Sequence, residues 1–217
     1  MDKIRKTVYF FSGLGADERV FQFVDLSFCN PVFIKWNFPF ENESIEDYAS
    51  KLLEQIKNEN PILVGVSFGG MMAVEVSKLI KTEKIILISS AKTKYEIPFY
   101  FKAAGKLNVH KIIPTSLLQN FNSINNFLFG VKIKEEKALL KTIIHETNPQ
   151  FLNWAINKIV NWQNEFVPRY IIHIHGTNDK ILPIKFLDTD FKIKNGGHFM
   201  IVHNSLEIGE IIKNYVL

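Results

Sequence analysis

The sequence predicts an α/β domain built on a mostly parallel sheet, and three observations lead there. Short apolar runs rich in β-branched residues recur at 7–11, 32–36, 62–66, 84–89, 170–175 and 191–194. They are apolar on both faces, which is how strands read when helices cover both sides of a parallel sheet. Helical patterns at 45–57 and 71–80 separate the early runs, and such alternation specifies strand–helix–strand crossovers. The third observation is the small-residue cluster "GVSFGG" at 65–70, which joins an apolar run to a helical pattern with no intervening loop.

Composition narrows the classes. At 217 residues the chain suits one domain, or a core with one insertion. Hydrophobic residues make up 47% and charged residues 22%, which excludes a disordered chain. The net charge of +4 is mild and the lysines are spread over the whole length, so no nucleic-acid partner is expected. Cys29 stands alone, which rules out an internal disulfide and favours a reducing, cytoplasmic setting. The apolar run from Val8 to Phe11 falls short of the roughly 7–15 residues of a secretory signal. No stretch approaches the roughly 20 residues of a membrane span, so no membrane partner is expected.

In chain order, the first strand (7–11) leads into a loop in which Asp17 is placed to cap a short helix beginning near Glu18. The second strand follows at 32–36. Ser44, with Asp47 three residues on, opens the helix 45–57. The strand 62–66, the helix 71–80 and the strand 84–89 continue the alternation. After Ser90 the pattern changes to amphipathic helices punctuated by Pro114, Gly130 and Thr147–Asn148–Pro149, until strand text resumes at Tyr170. A helical block of about 70 residues between two strands reads as an inserted lid, since structureless loops beyond about 15 residues are rare. The expected organisation is a core of residues 1–91 and 168–217 with a lid at 92–167. The lid is aromatic (Phe99, Tyr100, Phe101, Phe121, Phe127, Phe129, Trp154, Trp162), and most of these side chains are expected to hold its helices together and to the core.

The chemistry centres on Ser67. "GVSFG" at 65–69 fits G-x-S-x-G, in which a serine sits on a strained strand-to-helix turn at positive φ and small neighbours let strand and helix approach. Its hydroxyl would stand at a helix N-terminus, where the dipole favours developing negative charge. A serine hydroxyl needs a base, and the base an orienting acid. Asp179 in "HGTNDKILP" and His198 in "GGHF" supply both, each just past a strand.

Together these motifs, in the order Ser67, Asp179, His198, resemble the α/β-hydrolase superfamily over nearly the full chain. The resemblance implies that fold: a mostly parallel six-stranded sheet, here lacking the N-terminal hairpin common in the family, with a helical lid insertion. It implies Ser67, Asp179 and His198 as catalytic residues and the backbone N–H groups of Leu14 and Phe68 as the oxyanion hole, with no cofactor and no metal. Many relatives have His-Gly where this chain reads Ser12–Gly13, a departure that keeps the backbone donor. The implied activity is a serine hydrolase cleaving an ester or thioester of a small, apolar substrate through an acyl-enzyme. A lyase using the same three residues, or a non-catalytic small-molecule receptor, are the alternatives.

Rival readings of the same residues are weaker. His173 and His175 share a strand face and read as strand packing; Gly176, Thr177 and Asn178 stand where a metal-binding H-x-H-x-D-H motif would place further ligands. His203 lacks the glycine setting of His198, and Asp188 and Asp190 precede the last strand. "GLG" at 13–15 would need glycine at 18 for a dinucleotide loop, and that residue is Glu18. Serine at 67 excludes the members of this fold that use an aspartate nucleophile, the dehalogenases and epoxide hydrolases.

Overall fold

The computed structural model describes residues 5–107 and 123–217. Six strands, β1 (Thr7–Phe11), β2 (Asn30–Phe33), β3 (Ile62–Val66), β4 (Lys84–Ile88), β5 (Ile171–Gly176) and β6 (Phe191–Ile193), form one sheet in the order β2-β1-β3-β4-β5-β6. Every neighbouring pair is parallel. The chain steps outward from β1 to β2, then returns to β3 and proceeds the other way. The carboxyl ends of β1 and β3 therefore flank the point where the winding reverses, the usual place for a site in an open α/β sheet.

Alternation along the strands divides the core into two layers. Val8, Phe10, Ile62, Val64, Ile86 and Ile88 face one way, onto Val20 and Phe21 of the 3-10 turn Glu18–Phe21 and onto α7 (Met200–His203) and α8 (Ser205–Val216). Tyr9, Phe11, Leu63, Ile85 and Leu87 face the other, onto α1 (Ile45–Leu52) and α2 (Phe68–Ser77). In α1, Ser44 Oγ accepts the Asp47 N–H at 2.9 Å, and Ile45, Tyr48, Ala49 and Leu52 form the buried stripe. Asp17 caps the 3-10 turn by accepting the Arg19 N–H at 3.0 Å.

Two boundaries differ from expectation. The second strand lies at Asn30–Phe33, not 32–36, and α1 stops at Leu52 in a 3-10 turn, Leu53–Gln55, instead of running to 57. The Gln55 side chain accepts the Lys35 N–H at 2.8 Å and donates to the Lys35 carbonyl at 3.0 Å. That reciprocal pair holds the Lys35 backbone groups, which face away from β1 because the neighbouring Ile34 N–H is the one that donates to Phe10, and it joins the ends of both elements. A third difference is that α2 begins at Phe68, three residues before the expected 71, because Gly69 and Gly70 lie inside the helix. Helix α2 is buried from Phe68 to Val76 and so carries no polar stripe; its one charge there, Glu75, pairs with Lys78 and accepts the Trp162 Nε1–H at 2.8 Å.

Between β4 and β5 the described residues form α3 (Phe99–Lys106), α4 (Ser123–Phe129), α5 (Lys134–Glu146) and α6 (Pro149–Val160), with no strand among them. Helix α6 opens on Asn148, whose side chain accepts the Gln150 and Phe151 N–H groups, with Pro149 at the first position. Trp154 and Trp162 are buried as expected, and Trp154 Nε1–H reaches the Glu43 carbonyl at 2.9 Å. Phe99, Tyr100 and Phe127 differ: they are exposed on α3 and α4, and α3 packs on α6 through Gly105 against Val160. Phe121 and Pro114 lie outside the described residues. Among the described residues no helix is long and apolar enough to cross a membrane.

Close approach of β3 to α2 is a local constraint that can be measured. A Cβ on Gly65 would lie 2.5 Å from the Gly69 carbonyl oxygen and from the Gly70 backbone. Backbone cannot rotate away, so Gly65→Ala is expected to cost about 1–3 kcal/mol or more of unfolding free energy in urea titration. Gly13→Ala, whose nearest new neighbour is at 3.8 Å, should change stability far less.

Candidate active site

Ser67 follows the last residue of β3 at φ +53° and ψ −122°. This backbone is held from both sides. Its N–H donates to the Ile88 carbonyl of β4 at 2.9 Å, and its carbonyl accepts the Ser90 hydroxyl at 2.6 Å and the Gly70 N–H at 3.0 Å. The turn aims Ser67 Oγ at His198 Nε2, 2.8 Å away, and His198 Nδ1 lies 2.8 Å from Asp179 Oδ2. The structure thus brings Ser67, His198 and Asp179, separated widely in sequence, into one hydrogen-bonded chain.

The loops carrying Asp179 and His198 are stitched together. Thr177 N–H donates to the Ile193 carbonyl, Asn178 N–H to the Gly196 carbonyl at 2.9 Å, and Asn195 N–H to Thr177 Oγ1 at 2.8 Å. Gly176 and Gly196 touch backbone to backbone, which leaves no room for a side chain on Gly176. Asp179 Oδ1 accepts the Ile181 and Leu182 N–H groups at 2.8 and 2.9 Å. Burial alone would raise the Asp179 carboxyl, but the facing His198, the hydrogen bond from His175 and that from His198 outweigh it and hold it well below the usual carboxylate range. Asp179 and His198 are both buried. Nearby Tyr100 has its phenol raised by burial and by the Asp179 charge.

Phe68 follows the serine, and Gly13, the residue before Leu14, lies beside it. Phe68 N–H is the first amide of α2 and has no intrahelical acceptor. Leu14 follows Gly13, whose Cα carries its hydrogens toward Ser67 Cβ; a Cβ there would sit 3.8 Å from it. The loop is braced by Ser12, which donates to the Ala16 carbonyl at 2.6 Å and accepts Trp36 Nε1–H at 2.9 Å. Ala16 N–H closes the turn on the Gly13 carbonyl, Gly15 sits at φ +66°, and Thr147 Oγ1 donates to the Gly15 carbonyl at 3.2 Å.

The rival residues are engaged elsewhere. His203 Nδ1 pairs with Glu136 of α5 at 2.7 Å. Asp190 accepts the His173 N–H at 2.8 Å, and Asp188 pairs with Lys92. Burial, then His175 beside it, pushes His173 down to about 3, so it is a neutral packing group. Among the described residues no group of three or more His, Cys, Asp or Glu is placed to hold a metal ion. Sequence reasoning missed Ser90, Trp36 and Thr147 as neighbours of the site and read His175 as strand packing. Only His175 left a signal, the H-x-x-x-D spacing across the Gly176 turn; the other three reach the site through tertiary contacts.

No family model matches this sequence, and no curated protein sequence matches it. Solved structures do. An esterase from Exiguobacterium antarcticum superposes with a TM-score of 0.73 at 15% identity, covering 97% of this chain and 91% of that one. Est816, described as an N-acyl homoserine lactone degrading enzyme, gives 0.70 at 17% identity, with 97% and 93% covered. A bromoperoxidase from Bacillus anthracis gives 0.70 at 17% identity, with 97% and 91% covered. With the parallel sheet and the strand-to-helix turn already described, these likenesses establish that the chain has the α/β-hydrolase fold.

Two measurements probe the site's construction. Ser12→Ala strands the Trp36 indole N–H and should cost about 1–3 kcal/mol, read by urea unfolding followed through Trp fluorescence. Asp179 has a lowered carboxyl in the folded state. Its contribution to stability is therefore complete above the unfolded value of about 3.9 and is lost as pH falls below it. Asp179→Asn should flatten the fall in unfolding free energy between about pH 4 and about pH 2.

Proposed function

We propose that the chain is a serine hydrolase that cleaves a carboxylic ester or thioester of a small, apolar substrate through an acyl-enzyme. The observation that carries this reading is the Ser67–His198–Asp179 chain, with both links at 2.8 Å and Ser67 at a positive-φ turn. The names of the structural neighbours, which include esterases and a lipase described as putative, point the same way.

In this mechanism His198 Nε2 takes the Ser67 proton as Oγ attacks the acyl carbon. Asp179 keeps the imidazole in the Nδ1–H tautomer and stabilises the imidazolium. The carbonyl electron pair moves onto oxygen, where the N–H groups of Phe68 and Leu14 receive it. Collapse of the tetrahedral intermediate breaks the acyl–oxygen or acyl–sulfur bond, and His198 returns the proton to the departing alcohol or thiol. Water then repeats the sequence against the acyl-enzyme and releases the acid. Residues 92–167 form the lid in this reading. The contacts of Phe129 with the base loop and of Thr147 with the Gly15 carbonyl support that role, because they tie the block to both sides of the site. The enzyme works in the cytoplasm on a small molecule, without nucleic acid, membrane, cofactor or metal.

A fluorophosphonate probe, read by intact mass, should give one adduct on the wild type and none on Ser67→Ala or His198→Ala. With short-chain p-nitrophenyl esters, Asp179→Asn should lower kcat by about 10⁴-fold. An unlabelled, folded wild type would overturn the hydrolase reading in favour of a non-catalytic receptor.

A further inference from the structure

We propose that His175 is a positioning residue for Asp179, its imidazole Nε2–H holding the carboxylate oxygen that faces His198; this rests on the hydrolase reading above. His175 lies in β5, fully buried, one residue before the Gly176 turn. Its Nε2 is 2.8 Å from the Leu182 carbonyl oxygen and 3.2 Å from Asp179 Oδ2. Both neighbours are acceptors, so Nε2 carries the hydrogen, and Nδ1, which has no hydrogen-bond partner, carries the lone pair.

The arrangement is more than strand packing. A buried lone pair without a donor costs free energy that a phenylalanine at the same place would not incur. What the imidazole supplies in return is one N–H shared between the two ends of a single turn. Leu182 N–H holds Asp179 Oδ1, and His175 Nε2–H donates to the Leu182 carbonyl while Nε2 stands 3.2 Å from Oδ2. Ile181 N–H is the second donor on Oδ1, and His198 Nδ1 and His175 Nε2 both lie within 3.2 Å of Oδ2, which restricts rotation about the axis that aims Oδ2 at His198.

His175 and His198 also draw on the same oxygen. Removing His175 leaves more of the carboxylate charge to the His198 Nδ1–H, which stabilises the imidazolium but leaves the carboxylate freer to turn. The other titratable groups facing this pair are His173, whose ring centroid is 5.4 Å from that of His175, Lys92 beyond His173, and Tyr100 facing Asp179. His173 stays neutral through the working range, pushed down to about 3 by burial and by His175.

The test compares wild type with His175→Phe, which keeps ring volume without a donor, and His175→Gln, which keeps a donor. His175→Met serves as the apolar variant if the phenylalanine form does not fold. Two readouts are taken: kcat and KM against pH with p-nitrophenyl butyrate, and the low-field proton resonance of His198 Nδ1–H. In the apolar variant kcat should fall about tenfold with KM unchanged. Its acid limb should move to higher pH and the low-field resonance should shift, while His175→Gln restores most of each. A wild-type pH profile and an unmoved resonance in the apolar variant would overturn the proposal. A wild type that takes no fluorophosphonate label, with a resonance that still moves in the variant, would sink the hydrolase reading while upholding the His175–Asp179 coupling.

Discussion

At Ser67 the chain must leave a strand, reverse into a helix and hold a side chain clear of both, all within one residue. L-residues rarely occupy φ +53°, so the surroundings have to enforce it. They do so with three hydrogen bonds, to the Ile88 carbonyl and from the Ser90 hydroxyl and the Gly70 N–H, and with glycines where β3 and α2 touch. Much of the remaining architecture follows from this turn. Helix α2 has to lie deep between the sheet and α1, which explains its burial from Phe68 to Val76. Strand β4 has to lie beside β3 to offer Ile88 and Ser90. Local strain of about 1–3 kcal/mol is sustained by a buried, well-packed frame.

The other two members of the site are fixed by a different device. Asp179 and His198 stand on adjacent loops after β5 and β6, and parallel pairing of those strands brings their carboxyl ends to the same edge as that of β3. Contact between Gly176 and Gly196 then sets the loops close enough for Asp179 to reach His198. His198 is oriented from the Asp179 side, while Ser67 is oriented by the sheet; the two meet at the 2.8 Å contact between Oγ and Nε2.

The helical block between β4 and β5 reaches both flanks of the serine. On the base side, Gly130 packs on Gly197 with Phe199 N–H bonded to the Phe129 carbonyl at 3.0 Å, and the Phe129 ring meets the His198 ring edge at 5.6 Å. On the other side, the α5–α6 elbow binds the Gly15 carbonyl through Thr147, with Arg19 and Glu146 paired beside it. The exposed ion pair adds at most about 1 kcal/mol, so the close backbone contacts carry most of the attachment. A displacement of these helices would be felt at both loops.

Much of this protein was legible in its residues. Continuous β-branched runs gave β1 and β3 at their observed bounds and β4, β5 and β6 within a residue, because strands buried on both faces need apolar side chains throughout. The turn chemistry of Gly65, Gly69 and Ser67 marked the strand-to-helix junction, and the Gly-rich settings of Asp179 and His198 marked their loops, because those backbones tolerate few other residues. The end of β2, the end of α1, the bracing of Ser12 by Trp36 and the contact of His175 with Asp179 were not legible. Each depends on a side chain meeting a distant backbone or carboxylate, as Gln55 meets Lys35. Local sequence fixes which conformations a segment accepts, but only the assembled sheet decides which donors and acceptors come within reach.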